Sequence, residues 1–233
     1  WVSREGLMTE AVLHEYVRRL DLEGRPEAEA EYEAAFAAWQ RSLPQDPGNT
    51  GWAQGWAALD TDDRSWEVMK LPTLWQKAGH EYSGVFWFRR EIQVPAAWAG
   101  RDIELNIGAC DKGETTYFNN ERVGSLTPAD TPDSWCILRC YKVPGRLVKA
   151  GRNVVAVRVC SNVFAGGMTG PADSMWAAPP GAPEGQRIRL DGEWRCRVEH
   201  NFGQVTQPMP RRLGAVPGTL FNAMIAPLLP GAI

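Results

Sequence analysis

No stretch of this sequence approaches the roughly 20 consecutive apolar residues that a membrane-crossing helix needs. The opening "WVSREGLMTE" also lacks the basic start and apolar block of a signal peptide. No membrane partner is expected, and any export signal is expected upstream of Trp1. An excess of one charge sign is missing too. The 25 basic and 28 acidic residues leave a net charge of −3 and are spread along the chain. Phosphate backbones demand a basic footprint, so nucleic acid is not an expected partner. Five cysteines, Cys110, Cys136, Cys140, Cys160 and Cys196, include no C-x-x-C pair. Their odd number argues against a zinc ribbon and against a complete disulfide framework. Cys110, Cys140 and Cys160 sit in or at the ends of apolar runs, where burial as small hydrophobes is expected.

Catalytic signatures are equally scarce. There is no G-x-S-x-G elbow, H-E-x-x-H pair, P-loop or dinucleotide fingerprint, so no cofactor is expected. The three histidines, His14 in the first helix, His80 in a loop and His200 after the hairpin, belong to no motif that sets a Ser or Cys nucleophile against them. Asp62 and Asp63 are adjacent in a turn-like stretch, which is not the geometry of an acid and a base flanking a glycosidic bond.

What is abundant is tryptophan, eleven in 233 residues. Large indole faces serve core and interface packing, or stack on sugars, and composition does not separate the two uses. The length suffices for one large domain, or for a domain of about 150 residues with extra pieces.

Residues 3–42 read as helical. In "TEAVLHEYVRRLDLEG" Val12, Leu13, Tyr16, Val17 and Leu20 keep helical spacing between Thr9 as cap and Gly24 as stop. In "RPEAEAEYEAAFAAWQR" Pro26 suits the first turn, acidic residues crowd the N-terminal half, and Tyr32, Phe36 and Trp39 form one stripe. "SLPQDPGNTGWAQGW" then breaks all periodicity and marks a linker or boundary near residues 43–56.

From about residue 57 the period becomes two. Ile103, Leu105, Ile107 and Ala109 alternate with more polar neighbours, as do Val155, Val157 and Val159, which predicts strands with one buried face. Further short runs, "FWFRREIQV", "ETTYF" and "CILRCYKV", are separated by Gly, Pro and Asn turns, the pattern of a β-sandwich or jelly roll. "RIRLDGEWRCRVE" reads as a hairpin turning at Asp191-Gly192, with Ile188 and Leu190 on one arm and Trp194, Cys196 and Val198 on the other. The ending "TLFNAMIAPLL" carries apolar residues all round its axis and needs protein on every side.

Two places suit binding. "GACDKGETTYFNNERVG" sets Asp111, Tyr117, Asn119 and Asn120 around a strand pair and its turn. Sugar sites combine an aromatic face with convergent polar groups, so Tyr117 or Trp135 beside Asp111 and Asn119 would serve. Equally, Asn119-Asn120 is what a hairpin turn with positive φ wants, and Asp111 suits bonding to turn amides. In "SNVFAGGMTGPADSMW", Gly166, Gly167 and Gly170 either let backbone approach a ligand or simply give a long loop its freedom.

The ordered runs "MKLPTLWQ", "GVFWFRREIQVPAAWAGRDIELNIGACDKGETTYFNNERVG", "YKVPGRLVKAGRNVVAVRV", "GGMTGPADSMW", "IRLDGEWRCRVE" and "LFNAMIAPLLP" resemble the bacterial sialate O-acetylesterase family. The resemblance runs from about Trp1 to Ile233. Residues 57–200 also look like the sugar-binding jelly roll of β-galactosidase-type glycosidases, although Asn120 stands where that pattern usually has Gly.

The resemblance implies a mainly β fold: a jelly-roll, galactose-binding-like β-sandwich with N-terminal helices and a C-terminal segment from a flanking α/β (SGNH) hydrolase domain. It implies residues 1–48 as a helical segment of the hydrolase, 49–200 as the inserted sandwich and 201–233 as the return into the hydrolase. It also implies an extracytoplasmic location and an acetylated carbohydrate as partner. The family's catalytic blocks are a Gly-Gln-Ser-Asn nucleophile block, a Trp-Gly-Gly oxyanion block, a Gly-Glu-Ser-Asn block and an Asp-His pair. None is present here, so the chain is expected to span the middle of such an enzyme and to be inactive alone. The apolar segment Leu220–Ile233 is then expected to pack on the remainder of the hydrolase or on a second copy.

Overall fold

The computed structural model describes residues 26–205 and 208–210. Contacts divide the chain into two units, Pro44–Val205 and the flanks Trp1–Leu43 with Thr206–Ile233. The helix expected over Thr9–Gly24 and the tail Leu220–Ile233 lie outside the described residues. In the flanking unit a helix spans Pro26–Ser42, with Glu27 and Glu29 in its first turn and Arg41 in its last, signs that match the helix dipole. Its expected stripe forms: the rings of Tyr32 and Phe36 stack 5.7 Å apart, and Phe36 meets Trp39 at 5.5 Å.

The unit Pro44–Val205 is a β-sandwich. One sheet runs in the order β1 (Glu67–Leu71), β11 (Gly192–Gly203), β3 (Ser83–Val94), β8 (Gly151–Ser161), β5 (Gly113–Phe118), β6 (Glu121–Leu126). The other runs β10 (Ile188–Arg189), β9 (Gly167–Ala178), β4 (Ile103–Asp111), β7 (Arg139–Val143), with β2 (Thr73–Leu74) also paired to β9. Every pairing is antiparallel. The mainly β, two-sheet architecture expected from the period-two patterning is what forms.

Between the sheets lie Phe86 and Phe88 of β3, Ile103, Leu105 and Ile107 of β4, Val155, Val157 and Val159 of β8, and Trp75 and Trp194. Trp75 stacks on Phe86 with centroids 4.2 Å apart and planes 12° from parallel. At about 25 cal/mol per Å² of apolar surface removed from water, aromatic side chains of this size dominate the core.

The central strands depart from the one-faced burial that alternation predicts. Ala156 and Trp87, on the outward side of β8 and β3, are fully buried, because Trp56, Ala57 and Trp66 lie over them. That cover begins in the stretch near residues 43–56 read from its prolines and glycines as a linker, which supplies Trp56, and continues beyond it to Trp66. Its backbone is held firmly: Arg89 donates to Trp56 O and Ala58 O at 2.8 and 2.9 Å and to Asp63 at 2.9 Å. Asn49 caps the helical turn Thr50–Ala53 through Trp52 N.

The expected Asp191-Gly192 hairpin is a different object. β10 pairs with β9 in one sheet, whereas β11 pairs with β1 and β3 in the other. The turn is therefore an arch across the sandwich, with Gly192 at φ +109°. Alternation cannot tell the two apart, since both arms of an arch point their apolar residues into the same core. Trp194 closes the corner by donating its indole N–H to Leu190 O at 2.7 Å.

Two further expectations change. Cys110 and Cys196 are buried, but Cys140 is exposed, because it lies on the outward side of β7; all five cysteines are free thiols. Of the glycine-rich loop, the part from Gly167 onward is strand β9. A Cβ on Gly166 would sit 2.1 Å from the Trp75 indole, so that glycine admits protein rather than a ligand.

Candidate functional site

The β5–β6 hairpin turns at Asn119 and Asn120, at φ +49° and +75°. Asn119 donates its amide to Leu147 O at 2.9 Å and to Asn153 Oδ1 at 2.8 Å, and accepts from Val154 N at 2.8 Å. Those bonds fix the turn against the neighbouring chain. Tyr117 is buried, its ring stacked on Trp87 at 5.4 Å and its hydroxyl accepting from Asn49 Nδ2 at 2.6 Å. Its faces are engaged by protein.

Asp111 ends β4, with Lys112 Nζ 3.3 Å from its carboxylate. Burial pushes the Asp111 carboxyl up, against the pull of Lys112. At about 3.3 Å of rise per residue, β5 separates Asp111 from Asn119 by roughly 20 Å, so one sugar ring does not span them. Trp135 is 54 % exposed at the end of a short 3-10 helix, Pro132–Trp135, with Ile137 and Leu138 also exposed beside it. The buried Arg139 ties this loop to the β4–β5 turn: its guanidinium donates to Ile137 O at 2.5 Å and to Cys110 O and Lys112 O at 3.1 Å. Asp111 and the Trp135 loop thus share one end of the sandwich; Tyr117 and Asn119 do not reach it.

That end also carries a cavity of about 350 Å³. Its floor is the outward face where Gly113 pairs with Cys160 and Thr115 with Arg158. Gln45 and Asp46 of the cover segment form one wall, Thr127, Pro128 and Ala129 another, and Lys112, Glu114 and Asn162 complete the lining. Arg158 is fixed in place, donating to both Asp46 oxygens at 2.7 and 2.6 Å, to Gly48 O at 3.0 Å and to Glu199 at 2.5 Å. The Arg158 guanidinium holds the Asp46 carboxyl below its usual range. Burial pushes the Cys160 thiol up to about 12, which keeps it protonated and a poor nucleophile. The lining offers hydrogen-bond donors and acceptors fixed by ion pairs, which is chemistry for recognition.

Beside the cavity stands Phe164, which was not singled out from the sequence. Its ring lies 5.3 Å from Lys112 Nζ and is 53 % exposed, and its backbone sits at φ +59°. A phenylalanine in left-handed backbone is an outlier that surrounding structure must impose. Here Ser83 and Gln76 both donate to its carbonyl, at 3.3 and 3.4 Å, and Ser161 donates to Ala165 O at 2.7 Å. The one signal in the sequence is a lone aromatic inside the polar and glycine-rich "SNVFAGG".

No protein-family model and no curated protein match the chain. Among solved structures it is similar to the β-glucuronidase of Ruminococcus gnavus, at 21% identity with a TM-score of 0.42 over 52% of this chain and 20% of that one. It is also similar to Bacteroides uniformis β-glucuronidase 2, at 20% identity with a TM-score of 0.42 over 65% of this chain and 16% of that one. A β-glucuronidase from an uncultured Clostridium aligns at 16% identity with a TM-score of 0.40, over 52% of this chain and 21% of its own. The chain thus spans about a fifth of the length of these enzymes or less.

Proposed function

We propose that the chain is the non-catalytic β-sandwich region of a carbohydrate O-acetylesterase, where it shapes or supports the site that handles an acetylated sugar. The observation that carries this is the cavity over Gly113–Thr115, where fixed donors and acceptors stand beside an exposed aromatic ring. The ordered resemblance to sialate O-acetylesterases supplies the reaction. In such enzymes a Ser activated by His attacks the acetyl carbonyl while preset donors hold the oxyanion, and those parts belong to blocks outside this sequence. The apolar segment Leu220–Ile233 belongs, on this reading, against the remainder of the hydrolase or a second copy.

The coding sequence on either side of the chain tests the reading directly. Ser-bearing and Asp-His blocks are expected to flank it, and the purified chain is expected to leave a chromogenic acetyl ester unhydrolysed. Turnover abolished by mutating one of the chain's own Ser or His residues would overturn it. A second reading, an autonomous carbohydrate-binding module, is favoured by one feature: Pro44–Val205 has its own core and covers the outward face of its central strands with its own residues.

A further inference from the structure

The charge balance of the cavity narrows its ligand. Arg158 is committed to Asp46 and Glu199, Lys112 to Asp111, and the lining carboxylate of Glu114 is faced by Arg139. Each cation is therefore already matched, and one carboxylate remains in excess. A carboxylate on a ligand would meet Asp46 without gaining an uncommitted cation, and like charges at such separations disfavour binding. Hydroxyl groups are suited to the same surroundings, since they donate to Asp46 and accept from Lys112 and Asn162. The volume of about 350 Å³ lies at the small end of the roughly 300–1,000 Å³ typical of small-molecule sites.

We propose that this cavity binds an uncharged hexose unit, with the Phe164 ring stacking on its C–H face and Asp46, Lys112 and Asn162 meeting its hydroxyls. The proposal deepens the carbohydrate-facing role above by naming the ligand class, and it rests on that role. The left-handed backbone of Phe164 is what presents the ring. Glycine would make the same turn without strain, so the position retains an aromatic residue at the expense of local backbone energy. Ser83, Gln76 and Ser161 hold the loop before any ligand arrives, which reduces the entropy lost on binding.

The test is titration of the intact chain, followed by amide NMR shifts and calorimetry, with a panel of uncharged methyl hexopyranosides and with methyl galacturonide as the anionic probe. Saturable binding of at least one uncharged hexoside is expected, with shifts at Lys112, Thr115 and Asn162 and at least tenfold weaker binding of the galacturonide. Phe164→Gly is expected to weaken hexoside binding at least tenfold while melting no lower than the unaltered protein. No saturable binding of any uncharged hexoside, shifts confined to the Trp135 loop, equal or tighter binding of the galacturonide, or unchanged affinity in a folded Phe164→Gly protein would each overturn the site. Flanking coding sequence decides the acetylesterase reading independently, so either conclusion can fail while the other stands.

Discussion

Adjacent asparagines at the β5–β6 turn have opposite value to the fold. Asn119 uses both side-chain atoms to bond Leu147, Asn153 and Val154, whereas Asn120 contributes a positive φ and no side-chain hydrogen bond that fixes the turn. Asn120→Gly is expected to stabilise the protein by about 0.5–1 kcal/mol, since glycine adopts that φ freely. Asn119→Gly is expected to destabilise it by about 2–3 kcal/mol, since buried partners lose their bonds. Denaturant unfolding of the two variants reads both signs. At Asp46 the expected readout is pH. Its folded pKa lies below the unfolded value near 3.8, chiefly through the hydrogen bonds from Arg158. The stabilisation is thus complete above that value and lost as pH falls through the lower folded one. Melting temperatures from about pH 6 to about pH 2 are expected to fall less steeply in Asp46→Asn than in the parent protein.

At the scale of elements, the cover segment is the most informative. Gly51 presses on the outward face of β3: a Cβ there would stand 2.3 Å from Trp87 Nε1 and 2.6 Å from the Trp56 ring. Gly51→Ala is expected to cost about 1–3 kcal/mol by overpacking. Amide exchange is expected to rise along residues 46–58 before it rises in β4, and equal protection throughout would refute that order. Strand positions were legible in the sequence because a half-buried sheet imposes period two, and Ile103 to Ile107 and Val155 to Val159 carry that imprint. The arch at Asp191-Gly192 was not, because its residues alternate just as a hairpin's would. The cover was hidden for another reason. Its order comes from Arg89, Arg158 and Glu199, partners roughly 25 to 150 residues away in sequence, and no local pattern records such bonds. The candidate site was half legible: the strand-and-turn pattern marks Asp111, whose carboxylate pairs with the lining Lys112, but Phe164 and Asp46 reach the site only through the tertiary fold.

For the unit as a whole, its limits follow from what the cover does. A fragment of residues 44–205 is expected to unfold in one cooperative transition. A fragment of residues 57–200 lacks Asp46, Asn49 and Gly51 and leaves Tyr117, Arg158 and Glu199 without those partners. It is expected to melt at least about 10 °C lower, in line with several kcal/mol lost from a domain of this size. Equal melting temperatures would show that the cover contributes little.

The pairing of β1 with β11 joins Glu67 to Cys196, and Thr50 and Gly51 bond Glu199 at the same edge. The first residues of the sandwich to leave the ribosome therefore wait for the last. Until β11 is made, β3 has an open edge and Trp87 lacks its full surroundings, so synthesis exposes an aromatic, β-rich chain for most of its duration. Once β11 arrives, entry and exit lie side by side, the geometry by which a sandwich can be threaded into another domain's loop without prying that loop apart.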